Sequence, residues 1–274
     1  MIKSISEDLF ERSVKNHIPL TVNFEITGKC NQQCLHCYHD QDKPVTADEL
    51  SSDRIGRLLV SLKDSGTMFL TITGGEPFIR DDIEEVLDTI YDLGFSVIVF
   101  TNGTLIDKKI VQLIKKPGVF AVHVSVYSMD SKVHDGITRV EGSLEKTLCS
   151  LQMLKSEGVN TVIKCPVMKE NMSHAYKVKE WADDLGIMVK IDPFITPCEN
   201  GKIFEVLKHR IPVADIAGML LDGRLFNLED FRKRERLECP AAKNTCAIDA
   251  YGNVFPCIAW RNSAGNITVV SEII

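Results

Sequence analysis

The chain has 274 residues, 44% of them hydrophobic and 26% charged, the proportions of an ordinary soluble globular enzyme with room for one barrel-sized domain and a small appendage. Its 32 basic residues against 38 acidic ones leave a net charge of −6, which excludes the basic footprint of a nucleic-acid binder. No run of eighteen apolar residues exists, so no membrane span is expected, and the acidic, polar start is unlike a secretory signal. Nine cysteines without an export signal point to metal or catalysis rather than disulfides, and to a cytoplasmic, low-oxygen setting.

Short β-rich apolar runs alternate with helical patterns, as in repeated βαβ units. The first strand is expected over residues 21–26, and a cysteine-rich loop follows it. A helix over 48–64 puts Ile55, Leu58, Leu59 and Leu62 on one face. Strands over 68–73, 96–100, 121–126, 161–165 and 188–192 alternate with helices over 83–93, 106–115, 144–157 and 175–185. Gly158 and Gly186 close the last two helices as C-caps. Residues 202–236 are charged and partly helical, most periodic over 213–221, and read as a bridge to the C-terminal part. In parallel sheets of this kind ligands sit at the carboxyl ends of the strands. The loops after the first three strands therefore share one mouth.

The loop after the first strand reads Cys30-x3-Cys34-x2-Cys37 and then Tyr38. Three thiolates on one short loop can hold three irons of a 4Fe–4S cube and leave the fourth iron open, because most such clusters have four cysteine ligands. The spacing alone leaves other readings standing. Half of a zinc site is one, although His36 lies inside the Cys-x2-Cys pair and is an awkward fourth ligand. A thioredoxin-like redox pair with a spare thiol is another. The second strand closes on Thr73-Gly74-Gly75-Glu76-Pro77. Two glycines let backbone come close to a ligand, and Glu76 offers an acceptor for an ammonium; an ordinary strand-to-helix turn uses the same residues.

Together, and in this order, the cysteine loop and the Gly-Gly-Glu-Pro turn resemble the signature of the radical SAM superfamily. The resemblance implies an α/β fold, a partial (β/α)6 TIM-like barrel, over residues 21–196, after an N-terminal segment 1–20. It implies a 4Fe–4S cluster on Cys30, Cys34 and Cys37. It also implies S-adenosylmethionine against Tyr38, Gly74, Gly75, Glu76 and Pro77. Asn102 and Thr104 sit on the expected mouth and can line the cofactor site. Ser125 ends the fourth strand and can meet the ribose or carboxylate. Lys164 reaches a carboxylate if it faces inward; a solvated lysine is the alternative. The segment from Ser125 to Ser143 resembles the fourth connection of one branch of the family, and Arg139 is its candidate anion contact. Cys198, just past the sixth strand, is the candidate hydrogen-atom donor, with an inert loop thiol as the other reading. Cys149 and Cys165 read as buried small hydrophobes.

A second cysteine group follows the bridging region 197–238. Over residues 239–274 the pattern Cys239-x12-Gly252-x4-Cys257 resembles the start of a SPASM domain, the C-terminal extension that carries auxiliary 4Fe–4S clusters in one branch of the superfamily. A hairpin turn at Tyr251, Gly252 and Asn253 would bring Cys239 and Cys257 within reach of one cluster. Cys246 is either an extra ligand or a core thiol, and a zinc ribbon is the competing reading. A complete SPASM domain has further cysteines, and none follows Cys257 before Ile274. A tail missing after Ile274 is expected, with a shortened one-cluster type as the alternative.

By resemblance, the expected function is reductive cleavage of S-adenosylmethionine and hydrogen abstraction from a substrate. The leading substrate is a ribosomally made peptide, modified by a crosslink, a thioether or an epimerisation. With about twenty residues before the first strand, a separate peptide-recognition protein would bring it. A flavodoxin- or ferredoxin-type protein would supply electrons. The alternatives are a small-molecule substrate, as in a haem- or tetrapyrrole-tailoring decarboxylase, a sulfatase-maturing oxidase, or a non-catalytic iron–sulfur or zinc scaffold.

Overall fold

The computed structural model describes residues 5–40, 48–198, 203–225 and 239–267. Six parallel strands form the first part of one sheet: β1 (Thr21–Thr27), β2 (Phe69–Gly74), β3 (Ser96–Thr101), β4 (Val119–Ser125), β5 (Thr161–Pro166) and β6 (Met188–Asp192). Between them run α2 (Ser52–Asp64), α3 (Ile83–Asp92), α4 (Lys108–Ile114), α6 (Ser143–Ser156) and α7 (Ala175–Asp184). This is the expected strand–helix alternation, with helix starts moved to their caps. Ser51 accepts from the Arg54 amide and so starts α2, and Asp107 accepts from the Ile110 amide and so starts α4.

The period of two along each strand divides the molecule into two environments. Val22, Phe24, Ile26, Leu70, Ile72, Val97, Val99, Val122, Val124 and Ile163 are at most 1% exposed and pack under the helices with Ile55, Leu59, Leu87, Ile90 and Leu151. Each such side chain contributes about 1.5–3 kcal/mol by leaving water. The alternate positions, among them Asn23, Thr71, Phe100, His123, Ser125 and Lys164, face the concave side and line a cavity there. Lys164 therefore points inward.

Two helices have no counterpart in the sequence reading. The first is α1 (Ile5–Lys15), with Glu7 and Asp8 in its first turn and Arg12 and Lys15 in its last, the order that suits a helix dipole. Ser13 of α1 accepts from the Asn244 side chain at 2.8 Å, so both ends of the described chain meet. The second is α5 (Ser131–Thr138), capped by the Asp130 side chain and closed by Arg139 in the left-handed region at φ 58°. Two more helices, α8 (Ile203–Leu207) and α9 (Val213–Asp222), lie in the bridging region, whose residues 226–238 fall outside the described ones.

The C-terminal hairpin continues the same sheet. Strand β7 (Thr245–Ile248) runs parallel to β1, with Thr21 opposite Thr245 and Phe24 opposite Ile248. β8 (Asn253–Phe255) and β9 (Gly265–Asn266) add antiparallel, giving the order β6-β5-β4-β3-β2-β1-β7-β8-β9. The turn between β7 and β8 is held by Asp249, which accepts from the Tyr251 and Asn253 amides, both at 2.9 Å. No described helix is long and apolar enough to cross a membrane.

Candidate functional site

A cavity of about 290 Å³ opens at the carboxyl ends of the strands, close to the lower end of small-molecule sites. Cys30, Cys34 and Cys37 all line it, with Tyr38, Gly74, Gly75, Asn102, Ser125 and Lys164. The structure thus brings together the three loop cysteines and six of the nine expected cofactor contacts.

The loop is fixed from several sides. Its backbone leans on the end of α5, where the Gln33 amide donates to the Thr138 carbonyl at 3.0 Å and the Leu35 amide to the Ile137 carbonyl at 2.9 Å. Cys37 donates its amide to the Cys34 carbonyl at 3.1 Å, which curls the last two cysteines toward each other. Asn102 donates to Asn31 at 2.8 Å, and Asn31 donates to Thr104 at 2.8 Å, so the turn after β3 grips the loop's first cysteine from the other side.

The two glycines of the second turn line the cavity and also pack against the chain's own loop. A Cβ on Gly74 would lie 2.1 Å from the Thr27 carbonyl oxygen, and one on Gly75 would lie 2.1 Å from that of Lys29. The Gly75 amide donates to Thr27 at 2.8 Å and the Glu76 amide to Lys29 at 2.9 Å. Glycine is needed here so that the turn can lie against the cysteine loop itself. Glu76 is fully buried and is not on the cavity wall. Its carboxylate accepts from the Thr101 hydroxyl at 2.8 Å, the Asn102 amide at 2.7 Å and the Phe78 amide at 3.3 Å. These contacts make it a brace between two turns. Burial pushes this carboxyl up to about 7, although all three donors pull the other way. Pro77 starts the following helical turn (Pro77–Ile79) and is buried behind the wall.

Other expected contacts fall elsewhere. Arg139 is exposed at the end of α5 and away from the cavity wall. Cys198 packs with Leu35 and Val133 on a cluster of Tyr127, Ile137, Met168, Ile195 and Val206, and the cavity wall uses Phe194, Ile195 and Thr196 instead. Cys149 is exposed on α6, contrary to expectation, whereas Cys165 is fully buried. Cys246 lies on β7 with its side chain against the main core, and burial alone pushes its thiol up to about 11. That burial favours the core-thiol reading over the ligand one. Cys239 is exposed and Cys257 half-buried.

Several residues of the site carry no sequence signal. The Tyr127 hydroxyl reaches the Cys34 thiol and Ser125, and its ring meets His36 edge-on at 5.0 Å. Arg80 donates to the Ile26 carbonyl at 2.8 Å and the Leu50 carbonyl at 3.0 Å, fastening the second turn to the end of β1. Glu49 accepts from the Gly28 amide at 2.7 Å and from Thr27. Each is an ordinary polar residue until the fold brings its partner near.

The donor set suits a multi-iron group. Burial first, and then the charges of Cys37 and Cys30, push the Cys34 thiol up to about 12, a repulsion that a cationic metal centre would reverse. Among the described residues no three metal-binding side chains converge as they would on a single ion.

Comparison with known proteins gives a consistent picture. Residues 24–182 match the Radical SAM superfamily. The chain is 30% identical over 183 residues to the AdoMet-dependent heme synthase of Methanosarcina barkeri, covering 67% of this chain and 52% of that protein. It is 28% identical over 267 residues to the antilisterial bacteriocin subtilosin biosynthesis protein AlbA of Bacillus subtilis, covering 91% of this chain and 58% of that one. The chain therefore spans about half the length of these curated relatives. The fold resembles that of Streptococcus suis SuiB bound to its precursor peptide SuiA, with a TM-score of 0.71 at 18% identity over 94% of this chain and 66% of that one.

Proposed function

The chain belongs to the radical SAM superfamily, and on that premise we propose that it cleaves S-adenosylmethionine reductively and uses the resulting radical to modify a peptide. The observation that supports the chemistry is the meeting of Cys30, Cys34 and Cys37 on one cavity that Gly74 and Gly75 also line. A 4Fe–4S cluster held there would supply one electron and an open iron, so that the S–C5′ bond of S-adenosylmethionine breaks to methionine and a 5′-deoxyadenosyl radical that takes a substrate hydrogen atom.

The chain's own residues would do the positioning. Cys30, Cys34 and Cys37 hold the cluster. Gly74 and Gly75 would offer backbone at the cavity wall, Asn102 and Ser125 side-chain polar groups, and Lys164 a cation to a carboxylate. Phe100, Tyr127, Phe194 and Ile258 close the cavity with apolar surface and keep water from a reactive radical. A flavodoxin- or ferredoxin-type protein is the proposed electron source, the cytoplasm the proposed location, and a second cluster on Cys239 and Cys257 the proposed use of the C-terminal hairpin.

A peptide substrate is favoured by the extent of the likenesses. The match to the subtilosin biosynthesis protein covers 91% of the chain, whereas the match to the heme synthase covers 67%. Tetrapyrrole tailoring remains the second reading on the strength of that 30% identity. The test is anaerobic reconstitution followed by assay of dithionite-driven 5′-deoxyadenosine, then incubation with candidate precursor peptides and with iron coproporphyrin. A mass change in a peptide supports the proposal. A Soret shift with decarboxylation of the porphyrin selects the second reading. Absence of 5′-deoxyadenosine from an iron-loaded protein overturns both.

A further inference from the structure

Glu25 is a charged residue in the middle of a strand and is 1% exposed. It has two partners from opposite ends of the chain. The Tyr38 hydroxyl donates to it at 2.9 Å. Arg261 donates through both terminal nitrogens, one at 2.9 Å to Oε2 and the other to Oε1. The third donor of the Arg261 fork, Nε, reaches back to the Ile258 carbonyl at 3.0 Å. The guanidinium lies 5.3 Å from the centre of the Tyr38 ring and 5.0 Å from that of Phe255. The Arg261 side chain is itself only 11% exposed.

A buried ion pair of this kind is poor evidence of stability, because the cost of desolvating two charges offsets their attraction. What it does provide is geometry. The planar fork of arginine fixes its carboxylate in two directions, and that carboxylate fixes the tyrosine hydroxyl. Tyr38 directly follows Cys37, and both line the cavity together with Ile258. Glu25 in turn lies on β1 just past Phe24, the last residue that β1 pairs with β7.

We infer that Arg261, acting through Glu25 and Tyr38, is a positioning residue for Cys37, so that the C-terminal hairpin completes the cysteine loop. This rests on the reading of that loop as the cluster site. Arg261 touches neither substrate nor cluster in this account; it sets where the third thiolate points.

The test uses the full chain in two states. In metal-free, reduced protein, the rate of iodoacetamide labelling is measured at each cysteine by mass spectrometry, with exposed Cys149 as internal reference. Arg261→Met is expected to raise the rate at Cys37 several-fold relative to Cys149. Arg261→Lys, which keeps the charge but loses the fork, and Tyr38→Phe, which removes one hydrogen bond, are expected to shift it less and in the same direction. After anaerobic reconstitution, the same variants are expected to change the electron paramagnetic resonance line shape of the reduced cluster. If Arg261→Met does not fold, the two milder variants decide. Wild-type labelling at Cys37 and a wild-type spectrum in those variants, even with a lowered melting temperature, would overturn the inference. A wild-type protein that takes up no iron–sulfur cluster would instead overturn the family reading of the loop, and the labelling rates would still report on the positioning.

Discussion

The two cysteine groups of this chain differ in what surrounds them. Cys30, Cys34 and Cys37 are held by backbone contacts to α5, by the Gly-Gly turn and by the Asn31–Asn102–Thr104 network. Cys239, Cys246 and Cys257 are distributed over an edge hairpin, with one thiol exposed, one against the core and one half-buried. The first group is fixed in place by its neighbours. The second is spread out, and on the proposed reading three thiols serve as a site when their neighbours fix them.

The largest effect should come from removing the held group. The combined Cys30→Ala, Cys34→Ala and Cys37→Ala variant should lose about four irons per chain and all dithionite-driven 5′-deoxyadenosine. Cys239→Ala with Cys257→Ala should keep the cleavage activity. Iron analysis and chromatography would show it, and equal loss of cleavage in both would erase the contrast.

Next is Gly75→Ala. Its methyl would meet the Lys29 carbonyl oxygen at 2.1 Å, a backbone clash that no rotamer relieves. A destabilisation in the exceptional range, above about 4 kcal/mol, is expected in denaturant melts. Gly142→Ala, whose Cβ meets nothing within 4 Å, carries only the strain of its φ of 74° and should cost less.

A pH effect follows from Glu76. Its folded value, about 7, stands above the ordinary 4.5, so the folded protein keeps this proton longer than the unfolded chain. The contribution to stability is therefore full below pH 4.5, falls as the pH rises to 7 and is level beyond. The loss is on the order of 3 kcal/mol. Urea melts of the metal-free protein should show this slope, and Glu76→Gln should flatten it. An unchanged slope in the variant would mean the carboxyl titrates normally.

The smallest effect sharpens the contrast from the other side. Cys246→Ala should leave the iron content of the reconstituted protein unchanged and cost about 1 kcal/mol, as an ordinary core truncation does. Iron lost with Cys246 would return it to the ligand set.

Much of the fold was legible because its signals are local. Apolar runs such as 96–100 and 161–165 announce buried strands, and the faces of α2 and α3 follow the helical period. The short helix α5 was missed because Ser131 to Thr138 mixes polar and apolar residues with a glycine inside it. The parallel pairing of β7 with β1 was missed because nothing in either strand names a partner so far along the chain. In the site, the three cysteines are identified by spacing, which sequence shows directly. The direction of Glu76 and the hydroxyl of Tyr127 depend on the turns around them, and residue type carries no such information. The two glycines are points of close approach, and one thing that approaches is the chain's own loop.

The pairing of β1 with β7 also orders events in time. Domains form largely from the N-terminus as a chain is made, and β1 can find β2 early because they are near in sequence. Its other edge stays bare until Thr245–Ile248 has been synthesised. Until then the strand that carries the cysteine loop offers open backbone donors and acceptors to any passing strand. The closing step joins residues of high sequence separation, which makes it slow. A chain stopped before β7 should therefore aggregate more readily than the finished one, with its thiols already made and one edge of their supporting strand unpaired.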